Sequence, residues 1–117
     1  MYSKNFKTPD EVRELPKMRV ELVDLNGKKV MKGIYEPGWK WSEHMKPTVK
    51  TDSCQVHHEI YMLAGRMMVQ MNDGTQKEVA AGDAVILPPG HNAWVVGNEP
   101  VVLVDFSGGN HNYAQPS

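Results

Sequence analysis

The sequence predicts an all-β sandwich or barrel in a single domain. Apolar and polar residues alternate in short runs, as in "RMMVQM", where Met67, Val69 and Met71 share one face. Turn residues recur between the runs: Asn26-Gly27, Pro37-Gly38, Gly65, Asp73-Gly74 and Pro89-Gly90. The strand and turn signals together give eight or nine short strands.

Taken in order, "TPDEVRELP" reads as one short helical turn. Thr8 can cap it, Pro9 suits the first helical position, Glu11 completes a capping box and Pro16 stops it. Strand and turn follow. "MRVELVDL" is strand-like, Asn26-Gly27 signals a hairpin, and "KKVMKGIYE" is the return strand. "EPGWKW" turns into a further run. "CQVHHEIYMLAG" and "RMMVQM" meet at Gly65-Arg66, which reads as another hairpin, and "NDG" closes one into "TQKEV". "GDAVILPPG", "NAWVVGN" and "PVVLVDFSGG" complete the strands. The barrel is expected over about residues 18–107, with a frayed polar tail at 108–117.

Composition narrows the function classes. Thirteen basic and fourteen acidic residues leave a net charge of -1, and no basic run exceeds a pair. A nucleic-acid groove needs clustered Lys and Arg, so nucleic acid is not an expected partner. No apolar stretch has the length of a membrane span, and "MYSKNFKTPDEV" has no signal-peptide core. The lone Cys54 excludes an internal disulfide and points to a cytoplasmic protein. The eight methionines cluster in "YMLAGRMMVQM", which suggests an adaptable interior or interface.

Two stretches carry a family likeness. "GDAVILPPG" places Gly82, Pro88 and Gly90 as in the second signature of the cupins, and "PGWKWSEH" places His44 as the first histidine of their first signature. "HEIYMLAGRMMV" resembles the strand–turn–strand that follows. The likeness spans about residues 30–107, and "PGW.WSEH" with "PPGH.AW" resembles a subgroup of small stand-alone cupins. It implies a double-stranded β-helix, or jelly-roll barrel, with a metal site inside.

The departures from the cupin pattern reshape that site. The second histidine position holds Lys46, and the segment "KPTVKTDSC" lengthens the spacer. The family's glutamate falls on His58 and its last ligand on Ala93, with His91 two residues earlier. Side chains at i and i+2 share a face of a strand. If position 93 points inward, so does His91. Position 58 points inward by the same resemblance, which turns His57 and Tyr61 outward and puts Cys54, Val56, Ile60 and Met62 on the His58 face. Four extended residues span about 13 Å against metal bonds of about 2.0–2.3 Å. Cys54 is therefore a pocket residue, with a ligand role only if the chain folds back. His57 and His111 are expected to face solvent.

The expected metal set is His44, His58 and His91, holding one divalent transition metal, Fe, Zn, Ni or Cu. If residues 38–44 are extended, Lys40 and Ser42 share His44's face. The expected substrate pocket is then Lys40, Ser42, Cys54, Val56, Ile60, Met62 and Ala93. Trp39, Trp41 and Trp94 are expected in packing or in a dimer interface. Two function classes follow. One is a metal-dependent enzyme, dioxygenase-like or a lyase or isomerase, acting on a small organic molecule. The other is a non-catalytic metabolite-binding or sensor cupin without metal. Exposed edge strands add the expectation of a homodimer.

Overall fold

The computed structural model describes residues 1–49 and 53–108. Nine antiparallel strands run through them. They are β1 (Glu11–Leu15), β2 (Met18–Leu25), β3 (Lys28–Tyr35), β4 (His58–Ala64), β5 (Arg66–Met71), β6 (Gln76–Ala80), β7 (Ala84–Leu87), β8 (His91–Val96) and β9 (Val101–Asp105). Six form one sheet in the order β1-β2-β3-β9-β4-β7, and three form a second in the order β6-β5-β8. Val20, Leu22, Met31, Met62, Val101 and Leu103 from the first sheet meet Met67, Val69, Val79, Ala93 and Val95 from the second in one core. Among the described residues no helix is long and apolar enough to cross a membrane.

The Asn26-Gly27 hairpin forms as expected. Both residues have positive φ, 56° and 98°, and they join β2 to β3 in a two-residue turn whose twist suits the strands. The period-2 reading of "RMMVQM" also holds, with Met67 and Val69 buried and Met71 half-buried.

Three local expectations are corrected. Residues Glu11–Leu15 form strand β1, not a helical turn, and pair with β2 from Glu11↔Leu22 to Leu15↔Met18. A single turn of helix is too short to stand alone, whereas β2 offers an edge that satisfies the backbone, and Arg13 between exposed Val12 and Glu14 follows the strand period. Gly65 does not close a hairpin: β4 pairs with β7 and β9, whereas β5 pairs with β6 and β8. Gly65 turns the corner between the two sheets at φ +79°, where a Cβ would run into the carbonyl of Pro100. Finally, the chain after Lys40 is not extended. It forms two single-turn helices, α1 (Trp41–His44) and α2 (Lys46–Val49). Trp41 and Met45 are buried from this segment. The rest of the "KPTVKTDSC" reading lies partly outside the described residues, and His111 lies wholly outside them.

Candidate metal centre

The site is built where three chain segments meet. β4 begins at His58 and alternates strictly: His58, Ile60 and Met62 are buried, while Glu59, Tyr61 and Leu63 are exposed. His58 is 4 % exposed, and its Nδ1 lies 2.5 Å from Oδ2 of Asp105 on the neighbouring strand β9. Asp105 is fully buried and also accepts the backbone N–H of Glu59 at 3.2 Å and of Ser107 at 2.8 Å. The carboxylate therefore fixes the His58 ring and turns Nε2 away from itself, the arrangement that orients metal-binding histidines in many proteins.

The Pro-Pro-Gly turn explains the placement of His91. With Gly90 at φ +92°, the chain reverses so that the Pro88 carbonyl accepts a hydrogen bond from His91 Nδ1 at 2.8 Å. A backbone carbonyl thus orients the second ring as Asp105 orients the first. The two rings meet edge-on, with centroids 5.4 Å apart.

Cys54 joins them from the third segment. Its N–H donates to the His91 carbonyl at 2.7 Å, and its carbonyl accepts from Gly90 N–H at 2.7 Å. This bridge docks Cys54 on the start of β8. Its Sγ lies 3.8 Å from His58 Nε2. One donor atom each from Cys54, His58 and His91 lies within 4.8 Å of the others, and all three residues are buried. They line a cavity of about 20 Å³, together with Met31, Tyr35, Trp39, Trp41, Ile60, Met67, Leu87, Ala93 and Leu103. That is room for one ion or one water.

A family model described as Cupin domain (Cupin_2) matches residues 35–107. The chain belongs to the cupin family. Solved structures share the fold at low identity. The polyketide cyclase RemF from Streptomyces resistomycificus is 17% identical with a TM-score of 0.62, over 90% of this chain and 77% of that one. KdgF from Halomonas sp. is 16% identical with a TM-score of 0.58, over 91% of this chain and 93% of that one. A cupin-2 domain from Rhodospirillum rubrum is 17% identical with a TM-score of 0.58, over 90% of this chain and 65% of that one. No curated protein matches the chain.

Within this cupin barrel the residues expected from sequence separate into two groups. His58, His91, Cys54, Ile60 and Ala93 come together in the cavity. His44 does not join the donor group. The helical turn α1 folds its ring back on the chain, where Nδ1 accepts the Lys40 N–H at 3.0 Å. Among the described residues the converging donors are Cys54, His58 and His91, without His44. Lys40 and Ser42 are also outside the wall. Lys40 Nζ sits 4.9 Å over the Trp94 ring, and Ser42 bonds Asn92 through its N–H at 3.2 Å and its Oγ at 3.3 Å. Val56 packs against the core from a half-buried position, and Met62 is fully buried in it, neither lining the cavity. Trp39 and Trp41, assigned to packing, are cavity walls as well. The distance argument that separated Cys54 from His58 assumed an extended chain. Residues 55–57 are irregular, so the chain bends and the two side chains meet. His57 is half-exposed beside Glu59 at 3.5 Å, as strand parity implies.

Sequence reading missed Asp105. The signal was present: Val101, Leu103 and Asp105 share the buried face of β9, so a carboxylate stands in an apolar row. Burial works against its charge, but the hydrogen bond and charge of His58, with the N–H groups of Ser107 and Glu59, hold it below the usual carboxylate range. Burial pushes His91 down to about 4, despite the Pro88 carbonyl and with some repulsion from His58, so the ring is neutral near pH 7. Burial pushes the Cys54 thiol up to about 11. A thiol this hard to ionise is not a nucleophile near neutrality; a bound metal ion reverses that by taking the thiolate directly. Two imidazoles and one thiol, converging and buried, are a donor set that a borderline-soft divalent ion fits.

Proposed function

We propose that this cupin holds one divalent transition metal on Cys54, His58 and His91 and uses it on a small organic molecule. The observation that carries the reading is the convergence of those three donors within 4.8 Å in a buried cavity, with Asp105 behind His58. When bound, the metal would supply Lewis-acid polarisation at a position left open by three protein ligands. The thiolate in the set favours zinc, and with it lyase or isomerase chemistry over the dioxygenase branch. The chain does the rest. Asp105 and the Pro88 carbonyl hold the two Nδ1–H groups, so each ring presents Nε2. The apolar wall of Met31, Ile60, Met67, Leu87 and Leu103 keeps bulk water out. The fold likeness to a polyketide cyclase supports catalysis within such a barrel.

The test is metal content by elemental mass spectrometry on untagged protein. About one equivalent is expected in the wild type and in His44→Ala, and none in His58→Ala, His91→Ala or Cys54→Ala. Retention of metal by all three cavity variants, or its loss only in His44→Ala, would sink the assignment.

The second reading is a metal-free metabolite-binding cupin. The missing family glutamate, replaced by His58, and the displaced final histidine, His91, favour it. A wild type that takes up no Zn, Fe, Ni or Cu on reconstitution would select it. We further propose a homodimer paired through β7. This is the edge strand of the larger sheet, and Ile86 on it is 73% exposed near the exposed Tyr61 and Phe106. A monomer in analytical ultracentrifugation would refute it.

A further inference from the structure

The cavity wall holds a polar group that the metal reading leaves unused. Trp39 is 2% exposed, and among the described residues its Nε1 is the buried side-chain nitrogen without a hydrogen-bond partner. An indole N–H is a donor only. Native interiors pair nearly all such groups, and an exception calls for a water, an ion or a ligand that supplies the acceptor.

The chain fixes this ring from both sides. The Trp39 carbonyl accepts the N–H of Val95 at 3.0 Å, which ties it to β8, and its ring lies tilted against Tyr35 with centroids 4.6 Å apart. Trp39 lines the same cavity as Cys54, His58 and His91. Among the described residues no lysine or arginine lines that cavity. A ligand entering it therefore meets the Trp39 ring as well as the metal-binding donors.

We propose that Trp39 donates a hydrogen bond to an oxygen of the ligand that enters the cavity, and that this ligand is a small carboxylate. A carboxylate has two oxygens in a fixed plane, one for the indole N–H and one for the metal side. An amine offers donors where the wall needs an acceptor. The ligand's charge rests on the metal reading, because a cation in an apolar cavity favours an anion; the indole hydrogen bond does not. Extra room comes from Met31 and Met67, unbranched side chains that repack readily.

The test uses formate, then acetate, on protein reconstituted with zinc. The three indole N–H signals are followed by proton–nitrogen NMR, with Trp39 assigned from its neighbours in sequence. Trp39 is expected to move downfield and saturate with formate. Trp39→Phe, which keeps a ring against Tyr35, is expected to retain one equivalent of zinc and to bind formate about tenfold more weakly. A Trp39 signal that stays upfield and unmoved, as for an N–H resting on the Tyr35 ring, overturns the proposal. So does an unchanged formate affinity in the variant, or no formate binding at all. Should Trp39→Phe fail to fold, the wild-type titration decides alone. Failure of zinc binding sinks the metal reading separately, and a formate-induced Trp39 shift in zinc-free protein would still uphold the indole as donor.

Discussion

The two sides of the cavity are held by different means. His58 and His91 begin β4 and β8, and each ring is locked by its own partner, Asp105 for one and the Pro88 carbonyl for the other. Cys54 precedes an irregular stretch and is held on β8 chiefly by two backbone bonds at 2.7 Å, one to His91 and one to Gly90. The histidine side is fixed before any ligand arrives. The cysteine side is only as well fixed as the turn it docks on. Geometry built on paired strands should survive small changes, and geometry borrowed through a bridge should not.

The largest expected effect breaks the histidine side outright. His58→Ala removes a proposed ligand and leaves Asp105 buried without its ring partner. Leaving a buried acceptor without its donor costs about 1–3 kcal/mol, and more when the acceptor is charged. The variant should lose metal and melt well below the wild type, as calorimetry would show. A melting point within a degree or two of the wild type would mean that Asp105 is not charged in the folded chain. Asp105→Asn should be milder. It preserves shape but weakens the hold on Nδ1–H, and removal of such a partner typically costs about 10–100-fold in metal affinity. Competition with a chelator measures this, and an unchanged affinity would reduce Asp105 to a structural role.

Acid should probe the same side in metal-free protein. His91 is neutral in the folded chain down to about 4, against an ordinary value of 6.5. Between those values the unfolded chain binds the extra proton, so stability is full above about pH 6.5 and falls as pH drops toward 4. The amplitude is roughly 3 kcal/mol at most. Urea unfolding of metal-stripped protein at stepped pH would read it, and His91→Gln should flatten that part of the curve. A wild-type curve already flat across this window would mean that the ring is solvated.

The same contrast explains what could be read from sequence. Period-2 parity carries the inward setting that the cupin resemblance gives positions 58 and 93 to Ile60 and His91, because a strand fixes which side chains share a face whatever its neighbours do. It placed Met67 and Val69 for the same reason. It fails at Ser42 and His44, past the last extended residue, Lys40. Parity has no meaning once Trp41–His44 turns helical, so it does not carry Lys40 and Ser42 to one face with His44, which the resemblance had placed and which lies outside the donor group. A straight chain would likewise hold Cys54 away from His58, and residues 55–57 bend instead. Glu11–Leu15 shows a third kind of failure: local capping signals favoured a helical turn, and the open edge of β2 outweighed them. Asp105 was legible but unused, since nothing in its own segment names His58 as its partner.

The smallest expected effect tests whether the helical segment belongs to the site at all. Ser42 and Asn92 tie α1 to β8, one residue beyond His91, and Asn92 Oδ1 also accepts the Ala93 N–H at 2.9 Å. Ser42→Ala removes only the hydroxyl contact, worth about 1 kcal/mol or less in a half-buried place. If α1 merely covers the barrel, this variant should melt slightly lower and keep the wild-type metal affinity. If α1 helps to hold the start of β8, the affinity should fall as well, because His91 and the Cys54 bridge share that strand end. A chelator competition on Ser42→Ala beside His44→Ala separates these outcomes. His44 touches its own N-cap and not β8 through its Nδ1, so only Ser42→Ala should move the affinity if the tie matters.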